Sequence, residues 1–428
     1  MINSFFSYGV YRLFLVPVAL LLLKIFRPVL PMKIREMIFE REQENWVPLL
    51  TSPVWIHASS GEIEYAKSVV RELKHKYPEL PLLVTYFSPS AKRLLQHFHE
   101  ADLVMPLPWD SPALAQKFLN FYKPRAGLFA RTDVWPTFTT EARKNKIPLL
   151  LFAATLSDES SRTKRWARPL TRWAMTRLDH IFAVTAEDER NFKNLSPRIE
   201  VSVGGDTRFD QALHRLREVS KLPTTLQPRD QDFTFVAGST WPEDEEVLLP
   251  ALPDMVSSGV RVILAPHEVD ESHLEDLEQR LAILRLRSQR FSKSSQWPAH
   301  SVLIIDQIGW LADLYRWGNV AFVGGSFKEK VHSVMEPLAA GLPVLLGPYH
   351  TNNREALQFQ GVRLSNTEFA VRVLDGGSRD VLRRVIWWQN TPSVKAELAG
   401  LTARQAGASK RVVAWVENEL GLPKTSPV

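Results

Sequence analysis

Two series of short, continuously apolar runs constrain this chain more than any other feature. The first occupies residues 54–57, 82–86, 126–129, 149–153 and 180–185, and the second 233–237, 260–265, 301–305, 320–323 and 344–347. Runs this short and this apolar read as strands buried on both faces, and stretches such as 90–99 and 136–145 between them read as helices. Strand and helix in alternation predict a parallel sheet covered on each side. At 428 residues the chain exceeds one ordinary core. The two series therefore predict an α/β protein of two Rossmann-like domains facing one another across a cleft. The segment "KLPTTLQPRDQD" at 221–232 has two prolines and no periodicity, which marks a linker. The expected division is an anchor with a basic flank over 1–40, a first domain over 41–220, the linker, a second domain over 233–410, and a C-terminal helix over 411–428 that packs back.

The N-terminus differs in kind. Residues 5–26 read "FFSYGVYRLFLVPVALLLLKIF", apolar except for Arg12, Pro17 and Lys24. The unbroken run 13–23 falls short of the ~20 residues that cross a hydrocarbon core. No small-residue cleavage site follows; Arg27, Lys33 and Arg35 do, which favours keeping the rest of the chain on the cytoplasmic side. An uncleaved anchor is expected, either spanning or lying partly embedded. The net charge of +6 fits an anionic partner. The absence of cysteine excludes disulfides, thiolate zinc sites and a cysteine nucleophile, and matches a reducing compartment.

Polar constellations follow several of the runs, where ligands bind in open parallel sheets. They are Gly238-Ser239-Thr240, Pro266-His267-Glu268, and "VGGSFKEKVHSVMEPLAAGLPVLLGP" at 323–348, with Gly324-Gly325-Ser326, a polar loop, and a helix expected from near Ser333. Glycines let a backbone approach a phosphate, a helix start offers N–H groups, and Glu336 can accept from both ribose hydroxyls. Together they describe a nucleotide pocket. In the first half, "WIHASSGEIEYAK" at 55–67 places Glu62 after a glycine turn at a helix start, as a cap or as a base. His267 and His273, six apart, do not share a helical face, and the Asp-x-Asp of 230–232 lies in the linker, so neither is assigned to metal. The chain also lacks a Walker loop and a Gly-x-Gly-x-x-Gly after its first strand.

With "WIHASSGE", "VTYFSPSA", "RTDVWP", "LFAATLSDESS", "GGDTRFDQ", "GSTWPEDEE", "APHEVD" and the 323–348 block in this order, the chain resembles the 3-deoxy-D-manno-octulosonic acid (Kdo) transferases of lipopolysaccharide synthesis. That resemblance covers nearly the whole chain. It implies a GT-B glycosyltransferase at the cell inner membrane, catalytic domains cytoplasmic, that moves Kdo from CMP-Kdo to a lipid A precursor with inversion. It implies Glu62 as general base, and Gly238, Ser239, Thr240, Pro266, His267, Gly325, Ser326, His332, Ser333 and Glu336 as donor contacts, with no metal and no nucleic acid. Ser333, Thr155 and Arg131 stand where the family usually has an asparagine, an arginine and an acidic residue, and the glutamate motif is one residue shorter.

The stretch "RTKRWARPLTRWAMTR" at 162–177 carries no acid. As one helix it would align Arg165, Arg168 and Arg172 on a face, with Trp166 and Trp173 beside it. With Arg162, Ser60 and Gly61, these arginines are the expected contacts to acceptor phosphates or anionic lipid. A UDP-sugar transferase of the same fold and a non-catalytic membrane-tethered nucleotide- or lipid-binding protein are the alternative readings.

Overall fold

The computed structural model describes residues 2–43, 46–96 and 98–423. It comprises two compact units, Met1–Gln211 with Ala406–Val428, and Ala212–Gln405. Among the described residues each unit contains a seven-stranded parallel sheet. In the first, β1 (Val54–His57), β2 (Leu82–Tyr86), β3 (Leu103–Pro106), β4 (Ala126–Ala130), β5 (Leu149–Ala154), β6 (His180–Ala183) and β7 (Val201–Val203) lie in the order β3-β2-β1-β4-β5-β6-β7. In the second, β8 (Phe233–Thr240), β9 (Val260–Pro266), β10 (Arg287–Arg290), β11 (Ser301–Ile304), β12 (Val320–Val323), β13 (Val344–Leu346) and β14 (Val371–Val373) lie in the order β10-β11-β9-β8-β12-β13-β14.

Both faces of the first sheet are buried, as continuous apolar strands require. Trp55 packs with Phe118, Phe129 and Phe138 on one side. Ile56, Val84 and Leu128 meet the helix Ile63–Lys76 on the other. That second layer also takes Val412, Val413 and Val416 from the C-terminal helix Ala408–Leu420. Asp210 caps the start of this helix, accepting from the Gly407 and Ser409 N–H groups at 2.6 and 3.0 Å. In the second unit, Leu222 and Leu226 are core residues, so part of the segment read as a linker packs within that unit.

The N-terminal segment is helical over Ile2–Val10 and Val16–Ile25, joined by a π-helical turn at Tyr11–Leu15. Pro17 follows that turn; having no N–H, it is accommodated where the regular bonding pattern is already broken. Asn3–Ile25 is long and apolar enough to cross a membrane. One face of its first half is docked on the first unit: Tyr8 stacks on Trp173 at 4.6 Å, and the Tyr11 hydroxyl donates to Asp110 Oδ2 at 2.7 Å.

The basic stretch 162–177 departs from the single helix expected. Turns run to residue 167 and the helix is Arg168–Met175. Pro169 sits in its first turn, where proline favours a helix start. Arg165 lies outside the helix and shares no helical face with Arg168 and Arg172. Trp166 is 78% exposed, whereas Trp173 lies against Tyr8 and donates to Thr140 Oγ1 at 3.0 Å.

Candidate functional site

In the first unit, β1 ends at His57 and the chain turns through Ser59, Ser60 and Gly61 into the helix Ile63–Lys76. Glu62 stands at the N-cap position, yet its carboxylate makes no capping bond. It lines a cavity of about 540 Å³ with Ser59, Ser60, Gly61, Tyr65, Arg131, Thr132, Asp133, Arg162 and Arg208. Burial raises the Glu62 pKa to about 7, and the nearby Asp133 charge adds to this; Arg131, Arg162 and the Ser59 N–H pull the other way. Desolvation therefore outweighs the helix start, and the carboxyl titrates near neutrality.

Asp133 is the neighbour that reading the sequence missed, although it lies within the quoted "RTDVWP". Its Oδ2 is 3.3 Å from His57 Nε2. Burial works against its charge, but hydrogen bonds from His57 and Ser59, and Arg162 nearby, outweigh burial and hold its carboxyl below the ordinary value. His57, fully buried, is held by Thr85 Oγ1 at 2.9 Å from Nδ1, and Trp135 Nε1 lies 3.2 Å from the Nε2 that faces Asp133. Arg131 adopts φ +66°, an uncommon conformation for a side chain of its size, and hydrogen-bonds the Tyr65 hydroxyl. Arg208 lies over the same ring at 4.4 Å and pairs with Asp206 at 2.9 Å. Ser60 Oγ is 2.8 Å from Ser90 Oγ. The result is a carboxyl of raised pKa in a cavity walled by arginines. Of the other expected acceptor contacts, Arg162 lines this cavity; Arg168 donates to the Asn194 carbonyl at 2.7 Å.

In the second unit, the ends of β8, β9 and β12 supply the other constellation. Trp241 Nε1 donates to His332 Nε2 at 3.0 Å with the rings nearly coplanar, and exposed His267 stacks on both, 4.6 and 4.4 Å away. Burial, with His267 nearby, lowers the His332 pKa to about 4, so His332 is neutral at pH 7. Lys328 Nζ lies 3.6 Å from the Trp241 ring centroid. Neither Trp241 nor Lys328 was singled out from the sequence, although Trp241 directly follows Gly238-Ser239-Thr240.

Several expected donor contacts are committed internally. The Gly325 N–H donates to Asp244 Oδ2 at 2.6 Å and the Phe327 N–H to Oδ1 at 2.9 Å, so a carboxylate occupies this turn's amides. Ser326 is fully buried; its hydroxyl donates to the Val323 carbonyl and accepts from the Gly347 N–H, both at 2.9 Å. A side chain at Gly238 would come within 2.2 Å of the Tyr315 hydroxyl, and one at Gly324 within 2.0 Å of the Ser239 carbonyl. Thr240 donates to buried Glu245 at 3.0 Å, and Pro266 ends β9 in a buried position. The helix expected from near Ser333 is Met335–Ala339; Ser333 precedes it, its Oγ accepting from the Met335 N–H at 3.3 Å and donating to Glu336 Oε2 at 2.7 Å. Glu336 is half-buried. His273 pairs with Glu245 at 3.1 Å and Asp232 with Arg261 at 3.2 Å. Among the described residues, no group of three or more His, Cys, Asp or Glu could hold a metal ion.

Residues 33–211 match the family model described as 3-Deoxy-D-manno-octulosonic-acid transferase (kdotransferase). A 3-deoxy-D-manno-octulosonic acid transferase of Bordetella pertussis is 26% identical over 397 residues, 87% of this chain and 88% of that protein. One of Haemophilus influenzae is 28% identical over 331 residues, 72% of this chain and 74% of that protein. Among solved structures, UDP-GlcNAc 2-epimerase from Neisseria meningitidis bound to UDP-GlcNAc aligns with a TM-score of 0.61 at 15% identity, over 86% of this chain and 100% of that one. At that identity the likeness is one of fold.

Proposed function

For a chain that belongs to the 3-deoxy-D-manno-octulosonic acid (Kdo) transferase family, we propose transfer of Kdo from CMP-Kdo to a lipid A precursor in lipopolysaccharide synthesis, with Glu62 as the base. The observation that carries this assignment of Glu62 is its uncapped carboxyl, raised to about 7 inside a cavity walled by Arg131, Arg162 and Arg208. A pKa near the working pH suits a general base. The positive charge of these arginines suits an acceptor bearing phosphates; Arg208, its Nε and Nη2 already on Asp206, contributes charge rather than a free fork.

In this reading the acceptor hydroxyl gives its proton to Glu62 as its oxygen attacks the anomeric carbon. The bond from that carbon to the CMP phosphate oxygen breaks on the opposite face, inverting the centre, and CMP leaves with the electron pair. The donor is held by the second unit, its cytosine against the His267, His332 and Trp241 rings and its ribose hydroxyls on Glu336. Lys328 supplies positive charge for the leaving phosphate, so the step needs no metal. Asn3–Ile25, followed by Arg27, Lys33 and Arg35, supports a place at the inner membrane with both units on the cytoplasmic side.

Incubation with CMP-Kdo and a tetraacylated, bisphosphorylated glucosamine disaccharide, with product mass as the readout, tests the assignment. Gain of Kdo units with release of CMP is expected. Release of CMP without a glycosylated product, or transfer only from a UDP-sugar, would overturn it.

A further inference from the structure

A second cavity in the first unit, about 810 Å³, is lined by Leu20 and Leu23 of the N-terminal segment, Phe39, Trp46, Val104 of β3, and Trp109. This volume is within the ~300–1,000 Å³ range of small-molecule sites. The apolar surface runs on outside it, where Leu21, Leu22, Ile25 and Phe26 are exposed, and Val47 at its edge is exposed too. Leu20 and Leu23 belong to the stretch long and apolar enough to cross a membrane, so a membrane that takes up this stretch brings lipid chains to the cavity.

Its wall is fixed by a buried cation. The Arg41 guanidinium stacks on Phe87 at 4.6 Å and Trp109 at 4.7 Å, and donates to the Leu107, Met37 and Phe87 carbonyls at 2.8, 2.9 and 2.7 Å. The loop so held also touches the Glu62 turn, because the Phe87 and Ser88 N–H groups both donate to the Ser59 carbonyl, at 3.0 and 2.9 Å. In the sheet, β3 lies two strands from β1. At roughly 4.8 Å per strand, β3 and β1 are about 10 Å apart in the plane of the sheet, the scale of a sugar headgroup.

We propose that this cavity takes an acyl chain of the acceptor lipid and so places the headgroup at Glu62; this rests on the transferase reading above. Leu20, Leu23, Phe39, Trp46 and Val104 give an acyl chain apolar surface to lie on, beside a polar part of the lining formed by Glu36, Glu40, Glu42 and Gln43. Lys24 and Lys92 also line the cavity and can meet a phosphate of the disaccharide headgroup; Lys92 pairs with Glu40 at 2.6 Å.

The test uses the full chain in phospholipid nanodiscs, with CMP-Kdo and two acceptors: the tetraacylated disaccharide bisphosphate and its deacylated, water-soluble counterpart. Val104→Trp, which fills the cavity, should raise KM for the acylated acceptor at least tenfold and leave the deacylated acceptor and CMP affinity unchanged. Val47→Trp, at the exposed lip, should do the same with no burden on folding. Wild-type KM in both variants, or equal losses on both acceptors, overturns the proposal. If the wild type glycosylates neither acceptor, the transferase reading fails, and the cavity is read instead by photolabelling from a diazirine at the acyl terminus of the same disaccharide. Label within 36–47 or 103–114 supports the site. Label elsewhere, or equal labelling by a diazirine phosphatidylethanolamine, overturns it.

Discussion

Glu62 follows its glycine turn at the start of a helix, a position that ordinarily keeps a carboxylate ionised, and yet its pKa is raised to about 7. Burial beside Asp133 explains the reversal, and two outcomes follow. Glu62→Gln keeps the size of the side chain but cannot accept a proton, so turnover should fall by about 10²–10⁴-fold while CMP affinity holds. In the wild type, kcat/KM should rise with pH through about 7 as the base ionises. Stability moves the other way. A folded pKa raised above the unfolded value favours the folded state below the unfolded pKa, and that contribution is lost as pH rises through about 7. Glu62→Gln should therefore melt above the wild type at pH 8 and lose that advantage at pH 4; the reverse order would assign the carboxylate to capping. Glu336→Gln tests the donor side, with a loss of CMP affinity of about 1–3 kcal/mol in calorimetry; unchanged affinity would remove Glu336 from the pocket. Glu62 stood out in the sequence because a glycine turn and a helix start are local signals. Asp133 and Asp244 did not, because each acts on a segment distant in sequence or across a turn: Asp133 on His57, Asp244 on the Gly325 and Phe327 amides.

Among elements, the central strands were legible and the sheet edges were not. The strands missed are β3, β7, β10 and β14, and these four are the two edges of each sheet. Central strands such as β1, β4 and β12 are buried at every position, so their sequences are continuous apolar runs. An edge strand has a neighbour on one side only: β10 is Arg-Ser-Gln-Arg and β14 Val-Arg-Val, and such sequences carry no strand signal of their own. The N-terminal helix shows a second limit. Hydropathy marked it as an anchor, but its docking depends on Tyr8 meeting Trp173 and Tyr11 meeting Asp110, pairs remote in sequence. Trp173→Ala removes an aromatic pair worth about 0.5–1.5 kcal/mol beyond its buried area. Trypsin should then cut at Arg12 faster, while sedimentation with membranes persists through the remaining apolar segment. Unchanged cleavage would show that the helix is held by other contacts.

On the scale of the whole molecule, chain order and unit composition disagree at the C-terminus. The chain completes the second unit by Gln405, and the helix Ala408–Leu420 then belongs to the first. Val412, Val413 and Val416 are each buried in the first unit's core, and Tyr77 donates to Glu417 at 2.8 Å. Burying a valine contributes about 1.5–3 kcal/mol, so losing three removes on the order of 5–9 kcal/mol. A domain's entire stability is about 5–15 kcal/mol. A chain ending at Gln405 should therefore lose the cooperative melting of its first unit, and Kdo transfer with it. The second unit, whose core draws on Leu222, Val236, Ile263 and Leu303, keeps every strand of its sheet. Calorimetric titration with CMP should accordingly give wild-type affinity in the truncated protein. Loss of both properties together would mean that the two units fold as one cooperative body; retention of the first unit's melting would mean that the three valines contribute far less than their burial implies.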